Sequence, residues 1–248
     1  MTNSRHLLAL SLICLIGACT VEKADIRPDG TLDVLGPVPG FVKKDGLPGN
    51  WVLEGPARAW QENLKAVSHG SIPALKITPG DEQFVVALRT QALMLATPYL
   101  SWSWNMETDE GGMHPVRMVV GFEQGKNGSM RWQTRPQDWF QNTLPPHQRA
   151  ITILWAESAL ERGSFHLPTG KKGDRTAPRY IARGGRENTY SWWLETVDLA
   201  NLYARAWPDE DLSRVRITFI GLAVDKNPTR TALAPTPTAY VSGIRLSR

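Results

Sequence analysis

Short apolar runs of strand length, each closed off by turn-forming residues, recur from about Asn50 to the C-terminus. They cover residues 74–78, 83–95, 99–106, 116–123, 150–156, 177–182, 190–197, 215–224 and 239–246. Strands of this number and spacing predict an antiparallel sandwich or barrel. The 18 prolines and 21 glycines punctuate the runs and are too few for a low-complexity chain. No self-similar period supports a solenoid.

Alternation inside the runs predicts two layers. Leu100, Trp102, Trp104 and Met106 fall on one side of their run, whereas Ser101, Ser103 and Asn105 fall on the other. Ile151, Ile153 and Trp155 likewise share a side, opposite Thr152 and Leu154. In 215–224, simple alternation sets Val215, Ile217, Phe219, Gly221 and Ala223 against Arg216, Thr218, Ile220, Leu222 and Val224. The second half is apolar on both sides, as expected of a central strand covered on both faces. One helix is expected: Asp198 caps a segment whose apolar stripe is Leu199, Leu202, Tyr203 and Ala206, and Pro208 stops it. A weaker helical turn is expected around 137–140. The fold expectation is mainly β, an antiparallel β-sandwich with one short helix.

The N-terminal segment runs from Met1 through Arg5 and His6 into an apolar run from Leu7 to Ile16 and the small residues Gly17 and Ala18 before Cys19. This pattern predicts a secretory leader over residues 1–18, because the run is shorter than the roughly 20 residues that span a bilayer. Ile16-Gly17-Ala18-Cys19 reads as a bacterial lipobox, with Cys19 acylated and the membrane as a partner through that lipid; a plain signal with an incidental cysteine is the alternative. Only two cysteines occur, so a four-thiolate zinc site, an iron–sulfur cluster and a disulfide framework are excluded. Cleavage would leave Cys19 alone, and the domain must then be stable without an internal disulfide. Thr20 after the cysteine favours the periplasmic face of the outer membrane, if the source has two membranes. Residues 19–50, rich in proline and glycine, are expected to be a tether, with 32–35 and 41–42 as candidate edge-strand pieces. Residues 51–248 form the expected domain.

The net charge of +4 falls by one when the leader takes Arg5 away, and the basic residues are spread along the chain. Lys171, Lys172, Arg175 and Arg179 cluster only in a glycine-rich loop beside Asp174. A nucleic-acid partner is not expected, since such binders concentrate charge on one face or helix.

Several stretches together resemble a family of exported bacterial proteins known as domain of unknown function 3047 (DUF3047). They are Pro98-Tyr99-Leu100-Ser101-Trp102-Ser103-Trp104, Val116-Arg117-Met118-Val119-Val120-Gly121-Phe122, Ile153-Leu154-Trp155-Ala156 and Trp193-Leu194-Glu195-Thr196-Val197-Asp198-Leu199. Ile220-Gly221-Leu222-Ala223-Val224-Asp225 and Ala239-Tyr240-Val241-Ser242-Gly243-Ile244-Arg245-Leu246 complete the order. The resemblance covers about residues 50–248 and implies a jelly-roll-like sandwich similar to carbohydrate-binding modules, with no established activity. Two acidic features of the family are missing. Gly111-Gly112-Met113-His114-Pro115 leads into Arg117 where the family commonly has paired acids, and Asp225 is followed by Lys226 and Asn227.

Ten tryptophans are the strongest compositional lead, because exposed indole faces stack on sugar rings while buried ones merely pack. Trp132 and Trp139 sit among polar residues outside a clear strand and are expected at the surface. Trp155 and Trp192 are further candidates for ligand contact, with core packing as the alternative; Trp192 and Trp193, being adjacent, must point to opposite sides. Arg117, inside an apolar strand, is either a ligand anchor or the partner of Asp225, Asp198 or Glu195. Asp198, Asp225 and Asn227 are expected to be structural polar residues, the latter two in a turn whose lysine disfavours calcium. No metal or cofactor is expected. The histidines lack metal-ligand spacing, and no nucleophile elbow or phosphate loop is found. The reading is a non-catalytic envelope-glycan binder. The alternatives are a lipoprotein that binds another envelope protein, or a hydrolase with two facing carboxylates.

Overall fold

The computed structural model describes residues 30–35, 47, 51–109, 111–125, 144–169, 177–227 and 235–248. Cys19, Trp132, Trp139 and the turn expected around 137–140 lie outside the described residues.

Two sheets face each other. The first contains β1 (Leu32–Asp33), β3 (Leu64–His69), β4 (Ile72–Ile77), β6 (Tyr99–Glu107), β11 (Trp193–Asp198) and β13 (Thr238–Ser247). Its order is β11-β6-β13-β4-β3, with β1 added antiparallel beside β13, so the folded unit takes in residues before 51. The second sheet runs β2 (Trp51–Glu54), β5 (Phe84–Leu93), β12 (Val215–Val224), β7 (Val116–Gln124), β8 (Arg149–Ala156), β10 (Arg179–Gly184), β9 (Phe165–His166). All described pairings are antiparallel except β8 with β10. The mainly β sandwich expected from the sequence is the fold.

The interior is where the alternation put it. Leu100, Trp102, Trp104 and Met106 are all buried, as are Ile151, Ile153 and Trp155. The two sheets touch through indoles: Trp104 of β6 meets Trp155 of β8 edge to face at 5.6 Å, and Trp102 meets Trp104 at 5.2 Å. Such pairs add about 0.5–1.5 kcal/mol each beyond area burial. Trp155 is therefore core, which corrects its assignment to a ligand surface.

Strand β12 departs from simple alternation. Its pairing register shifts between Ile217 and Phe219 on both sides, with one residue more on β12 than on β7 and one more on β5 than on β12, and the phase of β12 reverses there. Val215 and Ile217 join the core, but after the bulge it is Ile220, Leu222 and Val224 that do so. Phe219 consequently turns to the outer side. Its ring lies over Gly121, where a Cβ would fall 2.1 Å from a ring carbon, so β7 needs a glycine there. His147 closes against Phe219 at 5.1 Å.

Asp198 caps α2 (Leu199–Ala206), its carboxylate accepting from the Asn201 amide at 2.9 Å. Leu199, Leu202 and Tyr203 bury the stripe. A second helix, α1 (Ala57–Asn63), was not expected; Ala59 and Trp60 tie it to the core. With Pro56 ahead of it and seven residues in all, it offers too short a period to read.

Candidate ligand-binding face

Register places one transverse row of side chains on the outer face of the first sheet. Asn105 of β6 lies opposite Tyr240 of β13, Tyr240 opposite Lys76 of β4, and Lys76 opposite Lys65 of β3. Trp193 pairs with Trp104, so Trp192 precedes the strand next to Asn105 and extends the row at the far edge. Directly paired residues share a face, so the β3–β4 hairpin and three segments distant from it in the chain meet here.

The β3–β4 hairpin adds a lid to this row. Gly70 and Ser71 both have positive φ, 59° and 66°, which is the two-residue turn that matches strand twist. β4 pairs with β13 only from Leu75 to Ile77, and Gly243 of β13 then adopts φ 61° where the β13 register with β6 slips. The distal hairpin thus leaves the sheet and crosses its outer face. His69, at the tip, stacks on Tyr240 at 3.8 Å and 14° between planes, and lies 6.0 Å from the Trp192 ring. The Trp192 indole donates to the His69 carbonyl at 3.3 Å. The Asn105 amide stands 3.3 Å from His69 Nε2, and Glu107 Oε1 stands 3.6 Å from the same nitrogen.

Glu107 is the hub of the polar groups. The Tyr240 phenol is held above the ordinary phenol range, first by burial and then by the charge and hydrogen bonding of Glu107. On the neighbouring loop Tyr190 is exposed, with φ 59°, an unusual backbone for a side chain of that size. Its hydroxyl donates to Asp109 at 2.7 Å, and that hydrogen bond leads the causes that push its pKa up to about 12. Both phenols stay protonated at neutral pH and remain donors.

At the base of the hairpin the row opens into a cleft of about 280 Å³ lined by Glu62, Asn63, Lys65, Lys76 and Thr78. Its floor is built: the Thr78 amide donates to the Asn63 carbonyl at 2.9 Å, and the Asn63 carboxamide lies against Gly80, where a Cβ would come within 2.9 Å of it. The Asn227 amide bonds the Gly80 carbonyl at 2.9 Å, which holds that floor from the other side.

The remaining sequence candidates lie elsewhere. Arg117 projects from β7 on the outer side of the second sheet, where its guanidinium is engaged by both Asp225 oxygens, the longer contact being 2.7 Å. This corrects the ligand-anchor reading: Arg117 is spent on the structural pair named as its alternative. Asp225 also anchors its strand end, its amide donating to the Pro115 carbonyl at 3.0 Å. Trp193 faces inward, opposite to Trp192, and stacks under the Arg183 guanidinium at 3.8 Å. Arg183 and Glu195 are both buried and meet between the sheets, 2.5 Å from Nε to Oε1. Of the candidate ligand residues described, only Trp192 belongs to the aromatic row. Reasoning from sequence missed His69, Asn105, Glu107, Lys76 and Tyr240, because cross-strand register assembles them. The one available signal was Asn105 on the polar side of β6. No group of three or more metal-ligating side chains occurs among the described residues.

No known family model matches the chain, and no curated protein matches it. Among solved structures, it is similar to the family 11 carbohydrate-binding module of a cellulosomal cellulase of Clostridium thermocellum at TM-score 0.37 and 9% identity, covering 82% of this chain and 90% of that one. It is also similar to the Trichoderma harzianum endoglucanase 3 from family GH12, at TM-score 0.41 and 8% identity over 82% and 92% of the two chains. A family 12 xyloglucanase from Bacillus licheniformis gives TM-score 0.39 and 7% identity over 91% and 97%. Likeness at these values carries nothing about ligand or activity.

Proposed function

We propose that this chain is an exported envelope lipoprotein of the DUF3047 family its sequence resembles, acylated at Cys19, whose sandwich binds a cell-envelope glycan without cleaving it. The observation that carries the reading is the outer-face row, in which the half-buried Trp192 and His69 are backed by the buried Tyr240 and Asn105 and flanked by Glu107 and the exposed Tyr190. Aromatic faces beside fixed donors and acceptors suit a sugar ring, which offers an apolar C–H face and hydroxyls at its rim. Apart from this row, the leader and Cys19 supply the export half of the reading.

Titration calorimetry with envelope polysaccharides tests the binding half. A Trp192→Ala variant that still melts cooperatively should bind at least tenfold more weakly, and the absence of binding to any polysaccharide by the parent protein would remove the reading. Labelled palmitate should enter the protein in cells and fail to enter a Cys19→Ser variant.

A second reading, docking of another envelope protein, draws on Leu194, which is 72% exposed beside Ser103 on the same face. Recovery of one dominant partner from envelope extract, lost on Leu194→Ser, would favour it.

A further inference from the structure

Lys65 and Lys76 stand directly opposite each other across β3 and β4, on the outer face of the sheet. Like charges at paired positions repel and cost stability. Neither lysine reaches a described carboxylate within ion-pair distance. Glu62 lines the same cleft and still forms no ion pair with either ammonium. Lys76 lines the cleft and has its ammonium 5.8 Å from the Tyr240 ring centroid, which ties the cleft to the aromatic row. Asn63 and Thr78 add neutral polar groups to the same wall. A repulsive pair around an open, polar cleft is what an anionic ligand group would relieve, because one carboxylate between two ammonium groups converts the repulsion into two attractions.

We propose that this cleft is the acid-selective subsite of the glycan face: it takes the carboxylate of a uronic-acid residue while the neighbouring sugar lies against Trp192 and His69, the half-buried members of the row. The inference rests on the glycan-binding reading and adds the ligand's chemical class, an acidic polysaccharide. Register supports the continuity, since Lys65, Lys76 and Tyr240 occupy successive strands of one row. A polysaccharide is favoured over a lipid headgroup because the lysines adjoin an aromatic row and not an apolar patch. A single carboxylate bridging both lysines would explain why two cations are kept face to face.

The test compares polygalacturonate with its fully methyl-esterified form by titration calorimetry, using the purified full-length chain. The acid form should bind at least tenfold more tightly, and the gap should narrow in high salt. Lys65→Gln and Lys76→Gln should each lose about tenfold toward the acid form and nothing toward the ester. Trp192→Ala should weaken both forms. Lys65→Gln should also melt at a higher temperature than the parent without ligand, which separates a lost contact from a misfolded variant. Equal binding of acid and ester, or lysine variants indistinguishable from the parent, would overturn the acid-selective subsite and leave glycan binding standing. Failure of both forms to bind would overturn the subsite, and failure of every neutral polysaccharide as well would take the underlying reading with it. Binding confined to phosphatidylglycerol vesicles would assign the lysines to a membrane surface and overturn the proposal.

Discussion

One cationic site on the outer face of each sheet is treated in an opposite way. On the seven-stranded sheet the Arg117 guanidinium is matched by Asp225, and nearby apolar side chains are covered, Phe219 by His147 and Gly121. On the other sheet, Lys65 and Lys76 stand opposite each other with no described carboxylate on either, and Tyr240 lies buried in an aromatic row whose Trp192 and His69 are half-buried. A face that serves only the fold gains from meeting each charge with a partner. A face that leaves like charges opposed gives up that gain.

That contrast can be broken at graded cost. The largest effect belongs to the pair between the sheets: Glu195→Gln strands the buried Arg183 charge and should lower unfolding free energy by about 3–5 kcal/mol in urea titrations. A loss under about 1 kcal/mol would mean that water reaches this pair.

Next comes the pH response of His114, a buried imidazole whose pKa is lowered to about 4, chiefly by burial. The unfolded chain takes up that proton near pH 6.5 while the folded one resists until about 4. Stability from this residue is therefore full above about pH 6.5 and is lost as pH falls toward 4. The loss should be on the order of 3 kcal/mol, and His114→Gln should flatten the slope of stability against pH in that window.

Arg117→Ala should cost less than about 1 kcal/mol, because both partners are partly exposed, at 30% and 43% of their side chains. The smallest effect has the opposite sign: Lys65→Gln should stabilise the ligand-free protein by about 0.2–1 kcal/mol. Destabilisation there would erase the contrast between the faces.

Much of the fold was legible because local rules governed it. Leu100 to Met106 alternate without interruption, and Asp198 with Pro208 bounds α2 by capping and termination that need no distant partner. The phase reversal in β12 was not legible, since Thr218 and its neighbours carry no glycine or proline to mark a bulge. The candidate face was less legible still. Trp192 was singled out for its indole, but His69 looked isolated, and its stacking partner Tyr240 arrives on the last strand of the chain. Arg117 shows the limit from the other direction: its charge was noticed and Asp225 named, yet only the folded register decides that this partner takes both ends of the guanidinium.

The bulge in β12 gives that strand two alternations joined at one point. Removing a single residue at the joint would turn Ile220, Leu222 and Val224 to the outer side and bring Phe219 inward, whereas exchanging a residue there leaves every orientation intact. The centre of the larger sheet thus forgives changes of letter far more readily than changes of length.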